Sequence, residues 1–263
     1  MLECVVNVSE GRRLDVVAAI AAHAGAHLLD VHSDPDHHRS VLTLVGEPAA
    51  RAVARATVAT LDLSDHEGAH PRTGVLDVVP FAPLGASTME DAVAARDRFL
   101  QFAGTELDLP CFSYGPERTL PEVRRGAFTQ IPPDAGPARP HPTAGATAVG
   151  ARPVLVAYNL WLTEPDLTVA RRVAATVRSP AVRALGLAVG GRAQVSMNLI
   201  DPTRTGPAEV HDAVAGLVPI AGAELVGLVP AAVLGAIPRH RWSELDVADD
   251  RTIEARLEQA GLR

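Results

Sequence analysis

The same order of strand-like and helix-like segments occurs twice along the 263-residue chain, on either side of a stretch rich in Pro, Gly and Ala at 129–150. Apolar residues that alternate predict the strands, and apolar residues with a period of about 3.6 predict the helices. The second occurrence contains a strand, a helix, two strands that meet at Gly190-Gly191, a helix and a strand, at about 153–162, 165–178, 182–190, 193–200, 207–218 and 223–229. This β-α-β-β-α-β order is that of the ferredoxin-like fold.

The first half has the same order with one helix and one strand added. Its segments lie at about 3–8, 14–25, 27–32, 40–46, 48–61 and 75–84, followed by the added pair at about 88–105 and 110–115. A weak echo between RSVLTLVGEP, which begins at Arg39, and AQVSMNLIDP, which begins at Ala193, indicates two related halves. We therefore predict an α/β (α+β) protein of two ferredoxin-like α/β sandwich subdomains, at 1–140 and 141–263, with a ligand cleft between them.

The composition of the chain excludes several classes of function. A net charge of −7 and a pI of about 5.8 provide no basic face for duplex nucleic acid, so we expect no nucleic-acid partner. No apolar run reaches the roughly 18–20 residues of a membrane span, so we expect no membrane partner either. All 24 basic residues are arginine, which excludes a lysine Schiff base with pyridoxal phosphate and the lysine of a Walker-type phosphate loop.

The cysteines and the N-terminus indicate a cellular location. Cys4 and Cys111 are too few for a disulfide framework or for a cysteine metal site. Met1 is followed directly by a strand pattern rather than by the apolar core of a signal peptide. We therefore expect a cytoplasmic protein.

Two polar clusters contain residues that could carry chemistry. His66 and His70 are four residues apart and would share one face of a helix, as metal ligands do, but Gly68 and Pro71 favour a loop. The segment Asp34–His38 offers carboxylates and imidazoles to a hard cation, although the same residue types are ordinary in a solvated hairpin turn. A metal site and a plain turn both stay open for this segment.

The stretch at 129–150 also has two interpretations. Its composition favours a flexible linker. Its last part belongs to HPTAGATAVGAR, from His141 to Arg152, which combines small side chains with many backbone N–H groups and could wrap closely around a flat ligand. Elsewhere, Arg39 lies at the start of a strand, where an arginine can hold a carboxylate through two hydrogen bonds.

Taken together, these segments resemble the glutamate formimidoyltransferase family, which also forms the transferase half of the bifunctional formimidoyltransferase–cyclodeaminases. The family's most specific motif, H-x-G-x-H-P-R-x-G-x-L-D-V-x-P-F, is matched at every fixed position from His66 to Phe81. One departure is His38, where the family usually has Asn. The other matches follow the family's order along nearly the whole chain: NVSEGR at 7–12, LLDV at 28–31, HRSV at 38–41, RTLP at 118–121, GATAVGAR at 145–152, AQVSMNLID at 193–201 and LVGLVP at 225–230.

The resemblance implies a reaction and a set of site residues. The family transfers a formimidoyl group from N-formimidoyl-L-glutamate to N5 of tetrahydrofolate, a co-substrate, and no metal is expected. Its catalytic histidine falls on His70, which would act as general acid and base. We expect Arg39, Arg72 and Arg152 to bind substrate carboxylates, and we expect a homodimer. The family's folate-binding loop falls on ten residues: Gly136, Pro137, Ala138, Arg139, Pro140, His141, Pro142, Thr143, Ala144 and Gly145.

Two other functions remain alternatives at this point. A metal-dependent hydrolase would use His66, His70 and the Asp34–His38 cluster, would contain bound metal and would lose its activity with a chelator. A non-catalytic folate-binding protein would bind folate without turnover.

Overall fold

The computed structural model of the protein describes residues 1–64, 66–68 and 71–263. The chain forms two compact units, Met1–Pro153 and Val154–Arg263. Each unit has its own sheet and its own main hydrophobic core. The predicted division after residue 140 falls inside the first unit, because the strand Thr147–Ala151 pairs with strands of that unit.

The first unit is built around a six-stranded sheet. The strands lie in the order β2-β3-β1-β4-β6-β5. β1 to β4 pair antiparallel in the ferredoxin-like arrangement, and β6 and β5 extend the sheet in parallel with β4. Its elements are β1 (Leu2–Val8), α1 (Leu14–Ala22), β2 (Leu28–Asp34), β3 (Arg39–Val45), α2 (Glu47–Thr60), β4 (Leu76–Pro83), α3 (Met89–Glu106), β5 (Cys111–Tyr114), α4 (Leu120–Gly126) and β6 (Thr147–Ala151).

Local sequence explains where the helices of this unit begin. The hydroxyl of Thr88 accepts the N–H of Asp91, and the Asp91 carboxylate accepts the N–H of Thr88, which is a capping box at the start of α3. Pro48 lies in the first turn of α2, where a missing N–H costs nothing. α1, α2 and α3 contribute to one core with β1, β3 and β4, which includes Val6, Ile20, Leu44, Val53, Phe81 and Phe99.

The second unit repeats the ferredoxin-like arrangement with a four-stranded antiparallel sheet in the order β10-β7-β9-β8. The echo between the segments at Arg39 and Ala193 falls on β3 and β9, which occupy equivalent places in the two sheets. The prediction of an α+β protein with two subdomains is confirmed. No helix in the described ranges is both long enough and apolar enough to cross a membrane. The elements are β7 (Val156–Leu162), α5 (Leu167–Val177), β8 (Val182–Val189), β9 (Arg192–Leu199), α6 (Pro207–Ala215), β10 (Ile220–Val226), α7 (Ala231–Gly235) and α8 (Ile253–Gln259).

The flexible-linker interpretation of 129–150 is wrong for the last part of that stretch. β6 lies between β4 and β5 and is buried along its whole length. Small side chains are required there, since a Cβ on Gly150 would lie 2.1 Å from the ring of Tyr114. The small residues that make the composition resemble a linker are the ones that let β6 pack between its neighbours.

Candidate active site

The N-terminal motif at 7–12 holds separate segments of the first unit together. The hydroxyl of Ser9 donates to the carbonyl oxygen of Gly74 (2.8 Å), and the N–H of Ser9 donates to the carbonyl oxygen of Val75 (2.8 Å). A Cβ on Gly11 would lie 2.2 Å from the carbonyl oxygen of Asp34. Glycine therefore lets the turn before α1 pass directly against the end of β2.

Glu10 is the buried carboxylate of this motif and is 1% exposed. Its Oε1 accepts the N–H groups of Arg12 (2.9 Å) and Arg13 (3.0 Å), and its Oε2 accepts from the Arg13 guanidinium (2.6 Å). Burial by itself would raise the pKa of this carboxyl, but the two N–H groups and the guanidinium lower it from 4.5 to about 2. Glu10 is therefore ionised at neutral pH and can only accept hydrogen bonds.

His38 ends the turn between β2 and β3 at a φ of +49°. Asn and His tolerate this left-handed conformation better than most residues, which explains how His38 replaces the family's usual Asn. Its Nε2 lies 3.1 Å from Oε1 of Glu10, and its Nδ1 lies 2.8 Å from the carbonyl oxygen of Glu67. The ring of His38 therefore connects Glu10 of the N-terminal motif to the chain at Glu67.

His66 stacks on His38, with the ring centroids 4.0 Å apart. Its Nε2 lies 2.9 Å from the carbonyl oxygen of His38, and both ring nitrogens contact the guanidinium of Arg72. Burial is the main cause that lowers the pKa of His66, and the charges of Arg72 and His38 lower it further. His66 is thus a neutral imidazole that joins the β2–β3 turn to Arg72.

His70, the predicted proton-transfer residue, lies outside the described residues. Its nearest described neighbours along the chain are Gly68 and Pro71. On the near side, a Cβ on Gly68 would lie 2.5 Å from the carbonyl oxygen of His37, so the chain approaches the β2–β3 turn closely there. On the far side, Pro71–Gly74, here named the post-histidine segment, is held by several hydrogen bonds.

The three arginines predicted to bind carboxylates lie in different surroundings. Arg39 donates from Nε and Nη2 to Oδ1 of Asn7 (2.9 and 2.5 Å) and from Nη1 to Oδ2 of Asp77 (3.0 Å). Burial lowers the pKa of Arg39 to about 10, although the charge of Asp77 opposes this. Arg72 contacts His66 of the histidine stack. Arg152 follows β6, and its guanidinium donates to the carbonyl oxygen of Pro153 (2.9 Å). Substrate binding by these arginines stays a prediction, and the guanidinium of Arg39 is already hydrogen-bonded to Asn7 and Asp77.

Asp77 and Arg124 are absent from the predicted site, although they contact each other beside the post-histidine segment. Asp77 is 1% exposed, and its Oδ2 accepts from Arg124 over 2.7 Å. The sequence contains one signal for this pair: Asp77 is a carboxylate inside the apolar strand VLDVVPF, and a buried charge requires charged or hydrogen-bonding partners. The sequence does not show which residues those partners are.

The segment Gly136–Gly145, here named the predicted folate segment, begins at a close backbone crossing. Gly136 has a φ of +80°, and a Cβ there would lie 2.3 Å from a carbonyl oxygen of the turn before β5. Just before it, Asp134 accepts the N–H of Ser113 (2.7 Å) and contacts the guanidinium of Arg118, the first residue of the RTLP motif. Residues 138–140 are exposed. The start of the segment is therefore fixed while its middle is accessible.

The end of the predicted folate segment is joined to the post-histidine segment. His141 and Gly145 exchange backbone hydrogen bonds of 2.8 and 2.9 Å. Gly145 forms a bridge with Gly74, and the N–H of the following residue donates to the carbonyl oxygen of Thr73 (3.0 Å). The first unit therefore brings two segments that the sequence places about seventy residues apart into direct contact.

The Asp34–His38 cluster forms a turn. Oδ1 of Asp34 accepts the N–H groups of Asp36 (2.8 Å) and His37 (2.7 Å), as a turn carboxylate commonly does. Across residues 1–64, 66–68 and 71–263, no three or more His, Cys, Asp or Glu side chains lie together in a way that could hold a metal ion.

Comparison with known proteins identifies relatives over nearly the whole chain. Residues 1–152 match the sequence model of the family described as formiminotransferase domain, N-terminal subdomain. The chain is 35% identical over 270 residues to a glutamate formimidoyltransferase of Streptococcus pyogenes serotype M1, a match that covers 89% of this chain and 90% of that protein. A glutamate formimidoyltransferase of Thermoplasma acidophilum is 32% identical over 300 residues, which covers 99% of this chain and 98% of that protein.

A bifunctional protein is similar over part of its length. The chain is 36% identical over 276 residues to a formimidoyltransferase-cyclodeaminase of Sus scrofa, which covers 89% of this chain and 51% of that protein. The chain thus spans about half the length of this bifunctional relative. The family match covers residues 1–152, which include the whole motif from His66 to Phe81 and the close backbone contacts at Gly11 and Gly136. The chain belongs to the formiminotransferase family.

Proposed function

We propose that the protein is a glutamate formimidoyltransferase, which transfers the formimidoyl group of N-formimidoyl-L-glutamate to N5 of tetrahydrofolate. Two relatives with this name, each matched over most of its own length, support the proposal. Tetrahydrofolate is then a co-substrate, and both substrates are small anionic molecules.

The proposed reaction removes a proton from N5 of tetrahydrofolate and adds a proton to the departing glutamate nitrogen. N5 attacks the amidine carbon to form a tetrahedral intermediate, whose collapse breaks the bond to the glutamate nitrogen. N5 loses a proton, and the glutamate nitrogen gains one as it leaves as an amine. We assign this proton transfer to His70, because an imidazole titrates near neutral pH and can act first as base and then as acid.

The observation that carries the proposal is the contact between the predicted folate segment and the post-histidine segment. Gly145 bridges Gly74, and the carbonyl oxygen of Thr73 accepts the N–H of the residue after Gly145. A pteridine bound along the predicted folate segment would therefore lie beside the chain that carries His70. General acid–base catalysis requires such proximity, since the catalytic group must reach the reacting nitrogen directly or through one water.

The charges near the post-histidine segment favour anionic substrates. Three arginines, Arg39, Arg72 and Arg124, lie around the buried carboxylate of Asp77. A local positive potential can attract anions even though the whole protein has a net charge of −7. We assign substrate carboxylates to Arg39, Arg72 and Arg152.

An assay with defined substrates tests the proposed function. Purified protein would be incubated with tetrahydrofolate and N-formimidoyl-L-glutamate, and the folate product and released glutamate would be quantified. We expect equal amounts of 5-formimidoyltetrahydrofolate and glutamate, with unchanged rates after EDTA treatment. N-formyl-L-glutamate would be tested as a second donor in parallel. If only this compound served as a donor, the transferred group would be formyl and not formimidoyl.

The same assay distinguishes the alternatives. A metal-dependent hydrolase would release glutamate without the folate product and would lose activity with EDTA. A non-catalytic folate-binding protein would bind tetrahydrofolate without forming either product. Family membership favours neither alternative.

We also propose that the protein functions as a cytoplasmic homodimer. Light scattering at micromolar concentration should give twice the monomer mass of 27.5 kDa, and a monomeric mass would contradict the dimer. Cell fractionation of the source organism tests the location independently.

A further inference from the structure

Asp77 is a buried carboxylate with four hydrogen-bond donors. Its Oδ1 accepts from the N–H (2.8 Å) and the hydroxyl (3.1 Å) of Thr73. Its Oδ2 accepts from Arg39 (3.0 Å) and Arg124 (2.7 Å). Burial alone would raise the pKa of this carboxyl, but the charges of the two arginines hold it below its usual range. Asp77 is therefore an ionised anchor on β4 to which the post-histidine segment is bound directly.

Arg124 binds the same segment at a second point. Its Nη2 donates to Asp77, and its Nη1 donates to the carbonyl oxygen of Pro71 over 2.6 Å. Pro71 is the residue that follows His70. A guanidinium presents its donors in a rigid planar fork, so two simultaneous bonds fix the distance between Pro71 and β4. A capping box at Thr119 fixes the start of α4, the helix that carries Arg124.

We propose that Arg124, anchored on Asp77, is a positioning residue: by holding the carbonyl oxygen of Pro71, it fixes the chain directly after His70 for proton transfer. The inference rests on the proposed function, since it concerns the group that we assign to proton transfer in that reaction. Arg124 acts through the chain, by its bond to the carbonyl oxygen of Pro71. A misplacement of about 1 Å in a catalytic group can reduce a rate by about 10²-fold, so a single such bond can matter greatly.

A purely stabilising ion pair makes a different prediction. Arg124 and Asp77 would then contribute to the free energy of unfolding, and the protein that remains folded would turn over normally. Positioning instead predicts that kcat falls in folded protein while the affinity for tetrahydrofolate is retained. Stability, affinity and kcat must therefore be measured on the same variants.

The test compares Arg124→Ala with Arg125→Ala. Arg125 is the next residue on α4, is exposed, and loses the same charge on substitution. We expect kcat of Arg124→Ala to fall by about 10- to 100-fold, with little change in the dissociation constant of tetrahydrofolate, and that of Arg125→Ala to stay near the wild-type value. Millimolar guanidinium should restore part of the kcat of Arg124→Ala only. Near-normal kcat in folded Arg124→Ala, or an equal loss in Arg125→Ala, would overturn the proposal.

Arg124→Lys keeps the test decisive if Arg124→Ala does not fold. Lysine retains the positive charge beside Asp77, but its ammonium lacks the planar fork that spans the carboxylate and the carbonyl oxygen of Pro71. We expect Arg124→Lys to fold with an intermediate kcat. Wild-type kcat in Arg124→Lys would show that charge alone suffices and would overturn the positioning role.

A second readout separates this inference from the proposed function. The ring resonances of His70, assigned by their loss in His70→Asn, would be followed by NMR in both alanine variants. If the wild-type protein forms no 5-formimidoyltetrahydrofolate, the proposed function fails, yet the resonances still report the position of His70. We expect them to shift in Arg124→Ala, to return with guanidinium and to stay unchanged in Arg125→Ala. Unchanged resonances in Arg124→Ala would contradict the positioning role.

Discussion

The hydroxyl of Ser9 donates a buried hydrogen bond of 2.8 Å to the carbonyl oxygen of Gly74, 65 positions further along the chain. Ser9 belongs to the N-terminal motif at 7–12, and Gly74 belongs to the motif that contains His70. Two motifs that are separate in the sequence thus form one structural unit, in which the N-terminal motif supports the post-histidine segment.

Ser9→Ala should therefore reduce the free energy of unfolding by about 1–3 kcal/mol, because the carbonyl oxygen of Gly74 loses this donor while staying buried. Ser243→Ala removes the hydroxyl of an exposed serine in the second unit and should change the stability by less than about 0.5 kcal/mol. Urea denaturation measures both variants. Equal effects would mean that the Ser9 hydrogen bond contributes nothing specific.

The second prediction concerns the pH dependence of stability at Glu10. Because folding lowers the pKa of Glu10 from 4.5 to about 2, its contribution is present above pH 4.5 and is lost as the pH falls toward 2. At neutral pH, Glu10→Gln should be less stable than wild type by on the order of 3 kcal/mol. This difference should shrink as the pH falls below 4.5, because the protonated carboxyl becomes similar to the amide. The exposed Glu258→Gln is the control, and a pH-independent difference for Glu10→Gln would contradict the prediction.

Gly145 and Gly191 form a matched pair for a third prediction. Both have a positive φ, +71° and +74°, but a Cβ on Gly145 would lie 2.4 Å from the carbonyl oxygen of Thr73, whereas Gly191 has open space around it. Gly191→Ala should cost about 1–2 kcal/mol of stability from its conformation alone. Gly145→Ala should cost about 2 kcal/mol more, since the backbone of the post-histidine segment must move. Thermal or urea unfolding of the two variants tests this, and equal losses would contradict the steric argument.

The fourth prediction concerns His70. His70→Asn should lower turnover by about 10²–10⁴-fold, because asparagine cannot transfer the proton. The affinity for tetrahydrofolate should change little, since proton transfer belongs to the transition state. His66→Asn should cost less turnover, because His66 serves to join the β2–β3 turn to Arg72, and the exposed His240→Asn should match wild type. Near-normal turnover of His70→Asn would remove it from the mechanism.

Much of the fold could be predicted from local patterns. Alternation and helical periodicity placed β7, β8 and β9 within a few residues of their observed bounds, and the β-α-β-β-α-β order predicted the four-stranded arrangement that both sheets contain. β6 was missed because burial between two parallel strands, rather than strand propensity, makes its small residues extended. The family motifs indicated His70 and the predicted folate segment, but not how the chain holds them.

The sequence by itself determined the order of the elements and the residues of the motifs, because hydrophobic periodicity and turn chemistry involve residues that are close along the chain. Only the tertiary structure decided that Asp77 binds Arg39, 38 positions before it, and Arg124, 47 positions after it. A buried carboxylate requires compensating charge, but many arginines could supply it. Which of them do depends on the strand order that places β3 and α4 near β4, and no local pattern contains that information.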